Sequence, residues 1–231
     1  MNEGLLTEPR VRASAQAVHH VRVADGWGTL LGVRNRGLNL AYWPRQLPDA
    51  LATWLTGIHD DDLPGIDESG PLEEGIYAVR QRVSERFPGQ AGALVLADDI
   101  ADQIEGWALV SEGTRCHLLL ERIDSDQCMK FHTDRVGIRL LCTYRGPGTW
   151  WVPNHLARRD LLGIGTENLD IVPHADDIRE VPTSAIALLK GDAYDRYDVG
   201  IIHRSPPIAA LGLVRLLLRI DDLDGCGCGT C

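Results

Sequence analysis

The spacing of apolar residues changes character at Gly113, and that change limits the folds open to this chain of 231 residues. Before it, Leu47, Leu51, Trp54 and Leu55 recur three and four apart. Ile76, Val79, Val83 and Phe87 repeat the pattern, and Ile100, Ile104, Trp107 and Ala108 do so again. Such a period lays apolar side chains along one helical face, so three helices are predicted, over 47–58, 71–87 and 94–110. Pro88-Gly89 stops the second, and Asp98-Asp99 falls in the first turns of the third, where negative charge is favourable. Short extended pieces are expected at His20–Val23 and in G-L-N-L-A-Y-W-P-R, while D-D-D-L-P-G-I-D-E-S-G-P reads as a turn-rich acidic linker.

After Gly113 the apolar runs are short and no long helix separates them. R-C-H-L-L-L-E-R-I, Val136–Tyr144, Gly148–Val152, the pieces at Ile171 and in A-I-A-L-L-K-G, Val199–His203 and Leu213–Ile220 are bounded by Gly/Pro turns. That pattern indicates an all-β barrel or jelly roll. The expectation is an α+β protein. A β core over 113–222 carries a mainly helical region, 21–112, on its outside, with a flexible segment 1–20 and a Cys/Gly-rich tail 223–231.

Charge and composition exclude several classes. A net charge of -10 and a pI near 5.2 oppose a nucleic-acid surface, which needs a basic footprint. No apolar run is long enough for a membrane span and the N-terminus has no secretory pattern, so a cytoplasmic location is the default. The six cysteines do not read as a secreted disulfide framework. Cys226, Cys228 and Cys231 in G-C-G-C-G-T-C offer either thiolates for a soft metal or an end with no role.

Chemistry concentrates in C-M-K-F-H-T-D-R and I-I-H-R-S-P-P. Side chains two apart in an extended segment share a face, so His132 and Asp134 can reach one ion together while Phe131 anchors the strand from behind. A histidine from a distant strand, His203, completes a two-His-one-carboxylate face suited to non-haem Fe(II), although Zn also accepts imidazole. The plainer readings are a surface histidine bonded to its neighbouring aspartate and a buried His203 held by a hydrogen bond. Arg215 and Arg219 lie four apart, on one side of the strand L-V-R-L-L-L-R-I-D. An inward arginine needs an anion, either a bound carboxylate or an internal one such as Asp221. Arg139 is a second inward candidate if Gly137 resets the alternation. Tyr144, Thr143, Arg145 and one of Trp150-Trp151 are placed along a cleft. Lys190-Gly191-Asp192 reads as a solvated turn, or as a lysine at the mouth.

The strings C-M-K-F-H-T-D, R-L-L-C-T-Y-R-G-P-G-T-W-W-V-P, L-L-K-G and H-R-S-P-P followed by R-L-L-L-R-I-D resemble the bacterial DUF1826 family across most of the chain. That resemblance implies no established reaction, only an association with zinc or other metal homeostasis. A remoter similarity is to the Fe(II)/2-oxoglutarate oxygenases, whose cupin-like double-stranded β-helix holds iron through H-x-D and a distal histidine. It implies His132, Asp134 and His203 as metal ligands and Arg215, with Arg219, as the 2-oxoglutarate site. Arg139 or Tyr144 would assist catalysis on an unidentified small-molecule or protein substrate. The alternatives are a non-catalytic metal-binding protein using Zn and the tail thiolates, a cupin-like isomerase or lyase, and a plain interaction domain.

Overall fold

The computed structural model describes residues 19–163, 165–195 and 198–223. The expected metal-binding tail Cys226, Cys228 and Cys231, and almost all of the segment 1–20, lie outside them. The fold is mixed α+β. Its main sheet contains β1 (Val21–Val23), β2 (Leu40–Trp43), β3 (Ile66–Pro71), β4 (Arg115–Ile123), β5 (Ile138–Arg145), β8 (Ile186–Lys190) and β10 (Arg215–Asp222). Their order across the sheet is β1-β2-β8-β5-β10-β4-β3. A second sheet, β7-β6-β9, joins β6 (Trp150–Trp151), β7 (Arg179–Glu180) and β9 (His203–Arg204). An isolated antiparallel bridge pairs His132 with His203 and so extends that sheet by one residue.

Alternation along the strands divides the main sheet into two different faces. Ile138, Leu140, Cys142 and Tyr144 of β5, with Leu216, Leu218 and Ile220 of β10, point toward the helical layer. After a single turn, α1 (Trp27–Leu30), that layer is α2 (Asp49–Gly57), α3 (Leu72–Arg86) and α4 (Ala91–Ser111), from which Leu51, Val79, Val83, Ile100, Ile104 and Trp107 complete the core. Trp107 is fully buried and donates its indole N–H to the Ile138 carbonyl at 3.0 Å. The polar atom in the apolar layer is thereby satisfied. None of the described helices is long and apolar enough to cross a membrane.

The other face is apolar only in part. Leu40, Leu141, Ala187 and Leu189 meet Trp151, Val181 and Ile201 of the second sheet's region. Toward β10 the same face carries Arg139, Thr143, Arg215, Arg219 and Asp221, and it is there that the second sheet brings its histidines.

The first half of the chain is more than a helical cover, since β1, β2 and β3 all join the main sheet. Of the acidic linker expected before α3, the first part is a turn at Asp60–Asp62, but the second half is the edge strand β3, antiparallel to β4 from Ile66↔Leu120 to Pro71↔Arg115. Its Asp, Glu, Gly and Pro residues read as turn chemistry, yet an edge strand tolerates and uses them. The apolar piece at Ile171 is a helical turn, α5 (Asn168–Ile171), rather than a strand. Of the run Val199–His203 only its last residue enters β9.

Candidate metal centre

Two reciprocal backbone bonds, each 3.0 Å, join the His132 and His203 peptides and place the two side chains on one face. Their ring centroids are 4.5 Å apart. Asp134, two residues on, puts Oδ2 3.2 Å from His203 Nε2 and Oδ1 3.7 Å from His132 Nε2. One ligand atom from each of the three residues lies within 4.8 Å of the others. Phe131 points the opposite way, into the cluster with Trp150, Val152 and Ile202.

The histidine tautomers follow from their partners. His132 Nδ1 faces the Lys130 carbonyl at 2.8 Å and His203 Nδ1 faces the Ile201 carbonyl at 3.1 Å. A carbonyl oxygen only accepts, so each Nδ1 carries a proton, and in the neutral ring each Nε2 then presents a lone pair. Those lone pairs converge on Asp134, whose Oδ2 is buried and accepts no hydrogen bond. With both rings neutral, these three electron-rich atoms are mutually repulsive. A cation among them removes the conflict, and two imidazoles with one carboxylate are a known donor set for Fe(II) or Zn. The residues therefore fit a divalent metal ion.

The carboxylate is kept ionised. Burial alone would raise the pKa of Asp134, but His203, Arg139 and His132 outweigh it and hold the group well below the usual carboxylate range. Burial, reinforced by the neighbouring His203, lowers the pKa of His132 and favours the neutral ring that binds a metal. Asp192 braces both ligand-bearing segments. Its N–H donates to the Asp134 carbonyl at 2.8 Å, and its carboxylate accepts from Gly200 N–H at 2.9 Å and from the Thr133 hydroxyl. Gly191 permits this approach: a Cβ there would sit 2.3 Å from the Val136 carbonyl oxygen and 2.7 Å from that of Asp134.

Arg215 is 1% exposed and has no carboxylate partner among the described residues. Among the described residues its guanidinium reaches three hydroxyls, Ser205 and Thr143 at 3.3 Å and Thr149 at 3.4 Å, and Nε has no hydrogen-bond partner there. Burial brings its pKa down to about 10, opposed by Glu180 and Glu121. Arg219 is different: it is partly exposed and leans on Asp221, with Nε 3.2 Å from Oδ2. Arg139 sits between two carboxylates, Nη1 2.6 Å from Asp134 and Nε and Nη2 2.6 and 2.8 Å from Asp221. A cleft of about 80 Å³ opens here, lined by His132, His203, Thr149, Ser205, Leu217 and Arg219. A larger surface groove of about 560 Å³ lies by Trp54 and Phe87. Its ionisable groups, His59, Asp62 and Arg86, are well exposed, so its size does not make it the better site.

Tyr144 corrects an expectation, because it does not line the cleft. It occupies the helix-facing side of β5, where its hydroxyl donates to Asp99 at 2.6 Å and accepts from Gln103 at 2.7 Å. Arg139, Leu141 and Thr143 take the other side, and an even residue of this strand cannot join them. Lys190 is neither solvated nor at a mouth. It is buried, paired with Asp198 at 2.6 Å and bonded to the Asn35 carbonyl. Trp150 and Trp151 are both buried, Trp151 between the sheets and Trp150 in the opposite cluster. Thr149 and Ser205 were not singled out from sequence, although each is two residues from Trp151 or His203 and so shares its face. Arg204 was also missed. It is buried on the reverse of β9, stacked 4.7 Å from the Trp150 ring and 5.2 Å from Phe131.

The family model described as a protein of unknown function, DUF1826, matches residues 24–221, and the chain belongs to that family. No match was found among curated protein sequences. Similar solved structures include the dioxygenase for auxin oxidation of rice, 13% identical with a TM-score of 0.45, covering 90% of this chain and 82% of that one. The dioxygenase for auxin oxidation 1 of Arabidopsis thaliana, solved with 2-oxoglutarate, is 10% identical with a TM-score of 0.44, covering 87% and 89%. A prolyl-4-hydroxylase of Pseudomonas putida is 12% identical with a TM-score of 0.44, covering 88% and 94%. At such values the chemistry rests on the side chains above.

Proposed function

We propose that this DUF1826 chain is an Fe(II)/2-oxoglutarate-dependent oxygenase. The observation that carries the reading is a pairing of two features joined through the cleft lining, where His132 and His203 stand with Ser205 and Thr149, the hydroxyls that Arg215 reaches from behind. A buried carboxylate and two imidazole Nε2 atoms converge where a cation would be held. Beyond them a buried arginine, with three hydroxyls and no carboxylate among the described residues, suits an anion. A plain metal store accounts for the first and leaves the second unexplained.

His132, Asp134 and His203 would hold the metal, leaving other coordination positions open. When bound, such an iron centre couples oxidative decarboxylation of 2-oxoglutarate to oxidation of a second substrate by O₂. Arg215 would take the distal carboxylate of the co-substrate in a charge-assisted fork, with Ser205, Thr143 and Thr149 turning their hydroxyls to it. Arg219 is the weaker candidate because Asp221 already engages it. The Nδ1 bonds to Lys130 and Ile201 carbonyls would keep both rings oriented through turnover.

Strand order supports the finer fold assignment. β4, the His132 bridge, β5, β6, β7, β8, β9 and β10 fall in the large, small, large, small, small, large, small and large sheets, antiparallel throughout. That alternation is what a double-stranded β-helix requires.

The test is uncoupled turnover. Protein loaded with Fe(II) and given 2-oxoglutarate and O₂ should release succinate slowly without any second substrate, and His132→Ala should not. Stoichiometric metal binding with no succinate, in the presence of candidate substrates, would favour the metal-handling alternative.

A further inference from the structure

We infer that Arg139, braced by Asp221, is a positioning residue for the metal centre: it engages one oxygen of Asp134 and leaves the other facing His203. This rests on the metal-centre reading above and concerns how the centre is set.

Asp134 lies in the connection between the His132 bridge and β5, outside any strand. The bond from Asp192 fixes its peptide but leaves its side chain free to turn. Arg139 supplies what is missing. Its Nη1 holds Asp134 Oδ1 at 2.6 Å, and Oδ2 remains without a hydrogen bond, 3.2 Å from His203 Nε2. The guanidinium is in turn locked, because Nε and Nη2 make a two-point contact with Asp221 on the neighbouring strand β10. All three side chains are nearly buried, with 10 to 12% of each accessible. A planar fork can span two carboxylates in this way, whereas an ammonium group presents a single point.

A cation beside a metal ligand is at first sight unfavourable, since it repels the ion. Asp221 on the far side returns a negative charge, so the Asp134–Arg139–Asp221 unit carries the charge of one carboxylate. Arg219 also leans on Asp221 but is partly exposed, and solvent screens it. With repulsion largely offset, orientation is the dominant effect. Outer partners of metal ligands of this kind typically govern affinity by about 10- to 100-fold.

The experiment is anaerobic titration of the metal-free full chain with Co(II), following affinity and the visible ligand-field bands. The wild type is compared with Arg139→Gln, Arg139→Lys and Asp221→Asn, each checked by circular dichroism. Arg139→Gln should bind about tenfold or more weakly and show altered bands, because both Asp134 oxygens are then free to approach the ion. Asp221→Asn should move both readouts in the same direction by less, although it is not one of the three ligands. Arg139→Lys should fall between the wild type and Arg139→Gln. A purely structural role would lower the melting temperature and leave the bands alone. Should Arg139→Gln fail to fold, the near-isosteric Asp221→Asn decides. Superimposable bands and equal affinity in the folded variants would overturn the clamp and leave the metal centre standing. A wild type that binds no Co(II) would overturn both.

Discussion

Replacing Arg215 with methionine should cost almost no stability while strongly weakening anion binding, which is the reverse of what a buried structural arginine does. Burial disfavours the charged guanidinium enough to bring its pKa down to about 10. At about 1.4 kcal/mol for each pH unit, the folded state carries about 3 kcal/mol of unrelieved desolvation at this residue. The three hydroxyl contacts are long, 3.3 to 3.4 Å, and return only part of it. Methionine keeps most of the apolar stem and removes the charge. Urea denaturation of the metal-free protein should therefore place Arg215→Met within about 1 kcal/mol of wild type, or above it. Removing one partner of a buried ion pair would instead cost about 3–5 kcal/mol. The same substitution should weaken 2-oxoglutarate binding to the metal-loaded protein about 100-fold, the loss of about 3 kcal/mol of charge-assisted hydrogen bonding. Calorimetric titration reads this directly. A destabilisation above about 3 kcal/mol, or unchanged affinity for 2-oxoglutarate, would refute the reasoning.

Other consequences follow from particular contacts. Tyr144→Phe should lose about 1–3 kcal/mol of stability, because Asp99 and Gln103 lose a buried partner, yet bind metal as the wild type does; weakened metal binding would put Tyr144 back in the site. Gly191→Ala should displace the loop carrying Asp134, since its Cβ would meet two carbonyl oxygens at 2.3 and 2.7 Å. Metal affinity should fall while far-ultraviolet circular dichroism is retained, and an unaltered affinity would argue against the Asp192 brace. Burial lowers the pKa of both His132 and His20 in the folded state. The unfolded chain then binds more protons than the folded one just below pH 6.5, so the metal-free protein should lose stability as pH falls through that value. A urea midpoint that stays level or rises between pH 7.5 and 5.5 would contradict this.

The site was more legible in the sequence than the sheet that supports it. H-x-D names its own geometry through the two-residue period, and the apolar run before His203 marks a buried segment. The same period separates Arg215, Leu217 and Arg219 from Leu216 and Leu218, and the structure keeps that division. Tyr144 was misplaced because the face of β5 that meets the site depends on where the loop at Gly137 delivers the strand, which no local pattern states. Lys190 went astray for a related reason. Its partner Asp198 lies across a loop, and a lysine beside Gly-Asp looks solvated until that partner is placed. β3 was hidden by composition, since a polar edge strand and a loop use the same residues. Arg139's two partners, Asp134 and Asp221, are far apart in sequence and meet only through the pairing of β5 with β10.

The most direct measurement is visible absorption during anaerobic addition of Fe(II), then 2-oxoglutarate, to the metal-free protein. A weak charge-transfer band should appear only after both are present. It should be lost in His132→Ala through the metal and in Arg215→Met through the co-substrate. Stoichiometric iron without a band, or a band indifferent to both substitutions, would contradict the claim that the three ligands and the buried arginine form one site.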